Sequence, residues 1–208
     1  MRYLLTATLL LVLLQPASAA VTYDLFYRPT GTVGIVDEVF VAADTVFAGA
    51  EIVLRETRTS GEESALGSGG LRGFAINLFS DPNGGFRNAV RNANFDLTGT
   101  GADADTLTAF NFIGGTVGSP VTEPNVVGDE LVLGTLDLLA PATAGQSTLF
   151  TIEDFDPNNA NFLLASGAEL DGAINFNNSL TVTAIPEPTG VAVLGLFGAA
   201  VLIRRRSR

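Results

Sequence analysis

Apolar and polar positions alternate in short stretches along the middle of the chain. In 21–28, Tyr23, Leu25 and Tyr27 fall on one side, and Thr22, Asp24 and Arg28 on the other. A period of two is the pattern of a half-buried strand. The same alternation predicts two short strand pieces in 33–41, interrupted at Asp37-Glu38, and a strand over 45–56. In the latter, Ile52 and Leu54 point inward and Glu51 and Arg55 outward, and Gly49-Ala50 marks a turn or bulge. The clearest case is 71–79, where Phe74, Ile76 and Leu78 share a face. Further strands are predicted late in 86–96 and over 107–113, with Thr108, Phe110 and Phe112 aligned. They continue over 131–139 (Val132, Leu136, Leu138), 148–155 (Phe150, Ile152), 162–165 and 179–185 (Leu180, Val182).

Gly, Asn, Asp and Pro punctuate these runs. Asp81-Pro82-Asn83-Gly84-Gly85 and Asp156-Pro157-Asn158-Asn159 read as turns, and 57–70, 98–105 and 114–129 as loops. No sustained helical period and no fixed-period repeat interrupts the series. The pattern predicts an all-β fold, a single jelly-roll-like β-sandwich of about nine strands.

Both ends depart from it. Arg2, the apolar run 3–14 and Ala17-Ser18-Ala19 have the layout of a secretory signal peptide over 1–20, to be removed by signal peptidase. At the other end, 185–208 has three parts in order. Pro186-Glu187-Pro188 fixes an extended segment. The stretch from Thr189 to Ile203 is uncharged and 15 residues long, about 22 Å as a helix at ~1.5 Å per residue. Arg204, Arg205, Arg206 and Arg208 then form a basic stop, which keeps that side cytoplasmic. A hydrocarbon core of about 30 Å takes about 20 residues, so this run spans only with thinning or snorkelling. On these grounds alone it is either a removable address or a permanent single-pass anchor.

Together the three parts resemble a PEP-CTERM sorting signal. That resemblance covers only the tail. It implies recognition by exosortase, a Cys-dependent membrane processing enzyme, in Gram-negative-type bacteria that make exopolysaccharide. The expected organisation is a signal peptide (1–20), an exported β-sandwich (21–184) and a sorting signal (185–208), with the domain at the cell surface or in the extracellular matrix.

Charge sharpens this picture. All 11 basic residues are arginine; Arg2 and the four in the tail leave six for the domain. Of 22 acidic residues only Glu187 lies in the tail, so the domain carries 21 and a net charge of −15. Such a surface excludes nucleic acid, whose phosphates need cationic partners. It suits solubility or the use of divalent cations. There is no Cys, so no disulfide staples an exported chain that must rest on its own core or a bound ion.

The later half has a second resemblance. Leu136-Asp137-Leu138, the turn 140–145, the strand 147–152, Asp154-Phe155-Asp156-Pro157 and the final Leu180-Thr181-Val182 are similar in pattern to cohesin-like modules. Gly73-Phe74-Ala75-Ile76-Asn77-Leu78 is similar to their central strand. The resemblance implies a nine-stranded jelly-roll shared with cohesins and carbohydrate-binding modules, and a protein or glycan partner bound on a sheet face.

Catalytic side chains are scarce. The chain has no His, Cys or Lys, which removes the His base, the Cys nucleophile, Cys/His zinc sites and Schiff-base chemistry. No catalytic residue is assigned and no cofactor is required. Asp154, Asp156, Asn158 and Asn159 crowd oxygen atoms into one turn and offer ligands to calcium. The spacing starts like an EF-hand loop, but Ala165 stands where its last ligand belongs, and Asp-Pro-Asn is equally a plain turn. Tyr23 and Tyr27 offer either stacking on sugar rings or core packing.

Overall fold

The computed structural model describes residues 21–58, 62–97, 108–122, 126–176 and 178–187. The predicted signal peptide, the apolar run, Pro188 and the arginine cluster lie outside the described residues. So does the stretch 101–107.

The strands are β1 (Thr22–Pro29), β2 (Glu38–Ala42), β3 (Val46–Thr57), β4 (Leu71–Ser80), β5 (Gly85–Arg91), β6 (Ala109–Gly115), β7 (Val126–Val127), β8 (Glu130–Leu139), β9 (Ser147–Asp154), β10 (Phe162–Leu164), β11 (Ile174–Asn175) and β12 (Ser179–Ile185). Nine are five residues or longer, in agreement with the alternation. The first sheet runs β11-β1-β3-β8-β5, with β7 on β8. The second runs β10-β4-β9-β12-β2, with β6 on β4. The pairings are antiparallel except β1 with β11 and β12 with β2.

The inner faces meet as the period of two requires. Tyr23, Leu25, Tyr27, Ile52 and Leu54 from one sheet pack against Phe74, Ile76, Leu78, Phe112, Phe150, Ile152, Leu180 and Val182 from the other. Phe74 stands edge-on to Phe95 with centroids 5.0 Å apart, and Phe86 edge-on to Phe150 at 5.2 Å. These geometries suit the ring quadrupoles. The Tyr27 hydroxyl crosses the sandwich and donates to the Thr151 carbonyl at 3.2 Å. Tyr23 and Tyr27 are thus core residues, and sugar stacking by them is ruled out.

Three extra residues bend the first sheet. Opposite β8, β3 gains one near Gly49 (φ 73°), between Phe47 and Ala50. On the other side of β8, β5 gains one at Asn88 (φ 49°), between Arg87 and Val90. The third is in β8 itself: Ile52 faces Gly134 and Val53 faces Val132, leaving Leu133 without a partner on β3. An extra residue reverses the alternation beyond it. Leu131, Leu133, Leu136 and Leu138 are therefore buried, and Val132, predicted to be inside with Leu136, is on the outer face.

Other expectations are corrected locally. Residues 33–37 form no strand, because Gly31 and Gly34 take left-handed φ and leave Val33 93% exposed. In 86–96 the strand is at the beginning rather than the end. Asn92 Oδ1 accepts the Asn94 N–H at 3.1 Å and turns the chain there. The loop 57–70 closes on a π-helical turn, Ala65–Gly69, that no periodicity announced.

Candidate functional site

Several features stand out on this frame, beginning with the end of β12. That strand lies between β9 and β2, and its register with β2 runs to Ile185 opposite Ala42. Beyond it the chain leaves the sheet, and Pro186 and Glu187 are exposed. The predicted sorting motif, Pro186-Glu187-Pro188, therefore starts at the residue after the ladder ends. The turn 140–146 and residues 43–44 flank this point, through Gly145 N–H to the Ala184 carbonyl at 2.7 Å and Ala43 N–H to the Ile185 carbonyl at 3.1 Å.

The acidic turn after β9 is organised around Asn161, which is buried. Its amide nitrogen donates to Asp154 Oδ1 at 2.6 Å, to the Asp156 carbonyl at 2.8 Å and to the Asn159 carbonyl at 2.9 Å. Asp156 accepts the Asn158 N–H at 3.0 Å and the Asn159 side-chain amide. The Asn158 backbone N–H, then the Asn159 amide, hold the Asp156 carboxyl below its ordinary range. Asp171 supports the same turn by accepting the Asn161 and Phe162 N–H groups at 2.9 and 3.1 Å. The four predicted oxygen donors are thus in one turn, with amide N–H groups facing the Asp154 and Asp156 carboxylates. Among the described residues no group of three or more acidic side chains gathers in a metal-binding arrangement. Asn161 and Asp171 were missed by sequence reasoning, which weighed only the run 154–159.

Beside this turn a groove of about 470 Å³ is lined by Thr151, Glu153, Asp154, Phe176, Asn178 and Ser179. Its lining mixes these polar and acidic side chains with Ile152 and Phe176.

The outer face of the first sheet holds an ion-pair lattice. Arg28 donates to Glu51 at 2.8 and 2.9 Å and to Glu130, and Arg55 also donates to Glu130. Burial pushes the Glu130 carboxyl up, but the hydrogen bonds from Arg55 and Arg28 outweigh it and hold the group below its ordinary range. The Arg55 guanidinium lies 4.7 Å from the centroid of Phe26. Phe26 and its strand partner Val53 are buried on this outer side. The lattice satisfies its own charges and roofs an apolar pair.

The outer face of the second sheet differs. Phe40, Thr183 and Ser147 form one cross-strand row, and Glu38, Thr181 and Leu149 the next. Phe40 is 60% exposed and Leu149 40%. Hydroxyls and apolar side chains dominate, with Glu38 accepting from the Thr183 hydroxyl at 2.7 Å.

No protein-family profile and no curated protein matches the chain. Among solved structures it is similar to the third cohesin of ScaC, in complex with the ScaB dockerin, from Acetivibrio cellulolyticus. That similarity has a TM-score of 0.46 at 11% identity, over 80% of this chain and 99% of the other. It is also similar to a type III cohesin module of the cell-surface anchoring scaffoldin ScaE of Ruminococcus flavefaciens. There the TM-score is 0.46 at 13% identity, over 83% of this chain and 92% of the other.

Proposed function

We propose that the chain is a non-enzymatic exported protein, delivered to the cell surface or extracellular matrix by exosortase-type recognition of its C-terminal signal, where its sandwich is a structural or adhesive component. One observation carries this: Pro186-Glu187 is exposed directly after the last strand, with an uncharged 15-residue run and an arginine cluster following in sequence. The absence of His, Cys and Lys from the whole chain supports a role without catalysis. Mass spectrometry of the mature protein from wild-type cells tests it. A C-terminus upstream of the apolar run is expected. An intact chain ending at Arg208 would sink the sorting reading and favour a permanent anchor.

A second reading, a module that binds a protein or glycan of the matrix, is favoured by the outer face of the second sheet. Exposed Phe40 and Leu149 among hydroxyls make a weakly charged surface on an otherwise acidic domain. Pull-down from the organism's own matrix, run with the domain and with Phe40→Glu, tests it. A partner kept by the domain and lost by the variant supports binding through this face. Equal recovery by both removes it.

A further inference from the structure

β2 closes one side of the second sheet, and among the described residues only its inner edge is paired. Thr181 N–H donates to the Asp37 carbonyl at 2.8 Å and Ala43 N–H to the Ile185 carbonyl at 3.1 Å. In a parallel ladder alternate residues of a strand bond to its neighbour, so 37, 39, 41 and 43 face β12. Glu38, Phe40 and Ala42 then turn their N–H and C=O groups outward. The Ala42 carbonyl accepts the Thr45 hydroxyl and keeps a second lone pair. The other outward groups have no partner among the described residues.

Sheet edges are guarded by bulges, prolines, lysines, shortness or a covering segment. The other edges of this domain are. β5 is bulged at Asn88, and β7 and β11 have two residues each. β10 is covered by the segment after it, with Leu170 N–H donating to the Phe162 carbonyl at 3.0 Å. On β6, the Gly115 carbonyl accepts the Leu97 N–H at 2.9 Å, and the Ile113 carbonyl accepts the Arg91 guanidinium at 3.1 Å. β2 runs from Glu38 to Ala42 without Pro, Lys or a break in register. Its one charge, Glu38, leans back over the sheet to the Thr183 hydroxyl at 2.7 Å. Phe40, at the centre of the strand, is 60% exposed.

We infer that this edge pairs with the same edge of a second copy of the chain, antiparallel about a two-fold axis at Phe40. The outward residues are placed evenly about Phe40, so this register alone uses all of them. Glu38 faces Ala42 of the second copy, Phe40 faces Phe40, and each facing pair exchanges two backbone bonds. No acid lies directly opposite another within the strand, which matters in a chain with 22 acidic residues against 11 basic ones. The register is self-complementary, as a two-fold contact requires, and that singles out a second copy over an unrelated strand. The axis stands across the sheet. Both outer faces therefore lie on one side, the two exposed rings become neighbours, and the second sheets run on into one another. The contact is small beside the ~1,200–2,000 Å² of stable interfaces. It is weak in dilute solution and acts between copies crowded together, whether the chain is anchored or released.

The chain has no Cys, so disulfide trapping reads the register directly. Purified full chain carrying Glu38→Cys is mixed with full chain carrying Ala42→Cys, in mild detergent and in high salt, which screens the acidic domains from each other. Facing residues are ~5.5 Å apart at Cα, within the ~4.4–6.8 Å that a disulfide spans. Two copies of residue 38 are roughly 14 Å apart along the strand, at ~3.4 Å per residue. Under oxidation the mixture should therefore link about tenfold faster than either variant alone. Val127→Cys, at a 72% exposed position on the first sheet, carries the same tail and reports chance collisions. A mixture that links no faster than Val127→Cys would overturn the pairing and assign the edge to a foreign strand or to solvent. Variants that each link to themselves as fast as to one another would overturn the two-fold register. Should Ala42→Cys fail to fold, Phe40→Cys takes its place, since it meets its own copy on the axis. It must outpace Val127→Cys, or the pairing falls. Every chain in the comparison keeps its tail, so the outcome is independent of the sorting reading.

Discussion

The Gly49 N–H donates to Asp137 Oδ1 at 2.9 Å, joining residues 88 positions apart. Asp137 Oδ2 accepts the Asn88 side-chain amide at 2.7 Å. Gly49 and Asn88 are the positive-φ residues of the two bulges that flank Asp137 on β3 and β5. One carboxylate thus fastens both irregularities, supplying an acceptor that the interrupted ladder no longer provides.

Asp137→Ala should therefore lower stability by about 1–3 kcal/mol, the cost of stranding hydrogen-bonding groups. Gly49→Ala should cost about 1–2 kcal/mol through its left-handed backbone. Its new Cβ would also lie 3.1 Å from Thr30 Oγ1. Urea denaturation reads both. An Asp137→Ala midpoint equal to wild type would show that the bulges hold themselves.

The tyrosines give an alkaline limit. Burial, then the Glu56 carboxylate, pushes the Tyr23 phenol up to about 12, and burial pushes Tyr27 well above its ordinary value. A raised folded pKa means that the unfolded chain loses its proton first. The stabilisation is complete below the unfolded value of 10.0 and is lost as pH rises from there through about 12. The domain has no other tyrosine, since Tyr3 falls in the predicted signal peptide. Tyrosinate absorbance should stay absent at pH 10 and appear together with unfolding. A free titration centred at pH 10 would place a tyrosine in solvent.

Glu130 sets the acid side. Its folded pKa is depressed, so its stabilisation is present above the unfolded value and lost as pH falls through the folded one. Glu130→Gln should cost about 1.5–3 kcal/mol at neutral pH, the scale of charged hydrogen bonds. The gap to wild type should close as the buffer is acidified below the carboxylate range. A gap independent of pH would mean that packing over Phe26 matters rather than charge.

In the acidic turn, amide N–H groups already occupy the places where a cation would approach Asp154 and Asp156. The melting temperature is expected to be equal in excess calcium and in chelator. A calcium-dependent rise would mean that this turn rearranges to bind the ion. Asn161→Ala should loosen the turn in either condition, because it removes the amide shared by Asp154, Asp156 and Asn159.

Strands that obey one period end to end were legible in the sequence. Tyr23, Leu25 and Tyr27, or Phe74, Ile76 and Leu78, needed only alternation to be placed in the core. Val132 was not legible, because the extra residue at Leu133 reverses the face and composition does not mark it. Phe26 and Val53 were missed for another reason. Their cover is an arginine lattice from β1, β3 and β8 rather than a second sheet, so burial falls on the polar side of the alternation. In the acidic turn the carboxylates were visible as a cluster, but the organiser, Asn161, is one of several asparagines in that run. Only its burial distinguishes it.

Glu56 supports a last prediction. Alternation puts it on the inner face with Ile52 and Leu54, and it is indeed only 3% exposed despite its charge. Its carboxylate accepts from the Ser64 hydroxyl at 3.1 Å, the Ala65 N–H at 3.0 Å and the Leu66 N–H at 2.8 Å. These donors lie at the start of the π-helical turn, where backbone N–H groups have no partner within the turn. Capturing them brings Leu66 into the core, where it is fully buried. Glu56→Gln presents an amide NH₂ to groups that are themselves donors, so at least one bond is lost and a buried polar group is stranded. The expected cost is about 1–3 kcal/mol, with faster amide exchange over 64–70. Leu66→Ala should cost about 2–5 kcal/mol as a buried leucine truncation. Both changes release the same turn, so the double variant should fall short of the sum of the two. Strict additivity in urea denaturation would show that Glu56 and Leu66 act separately and that the carboxylate does not dock the turn.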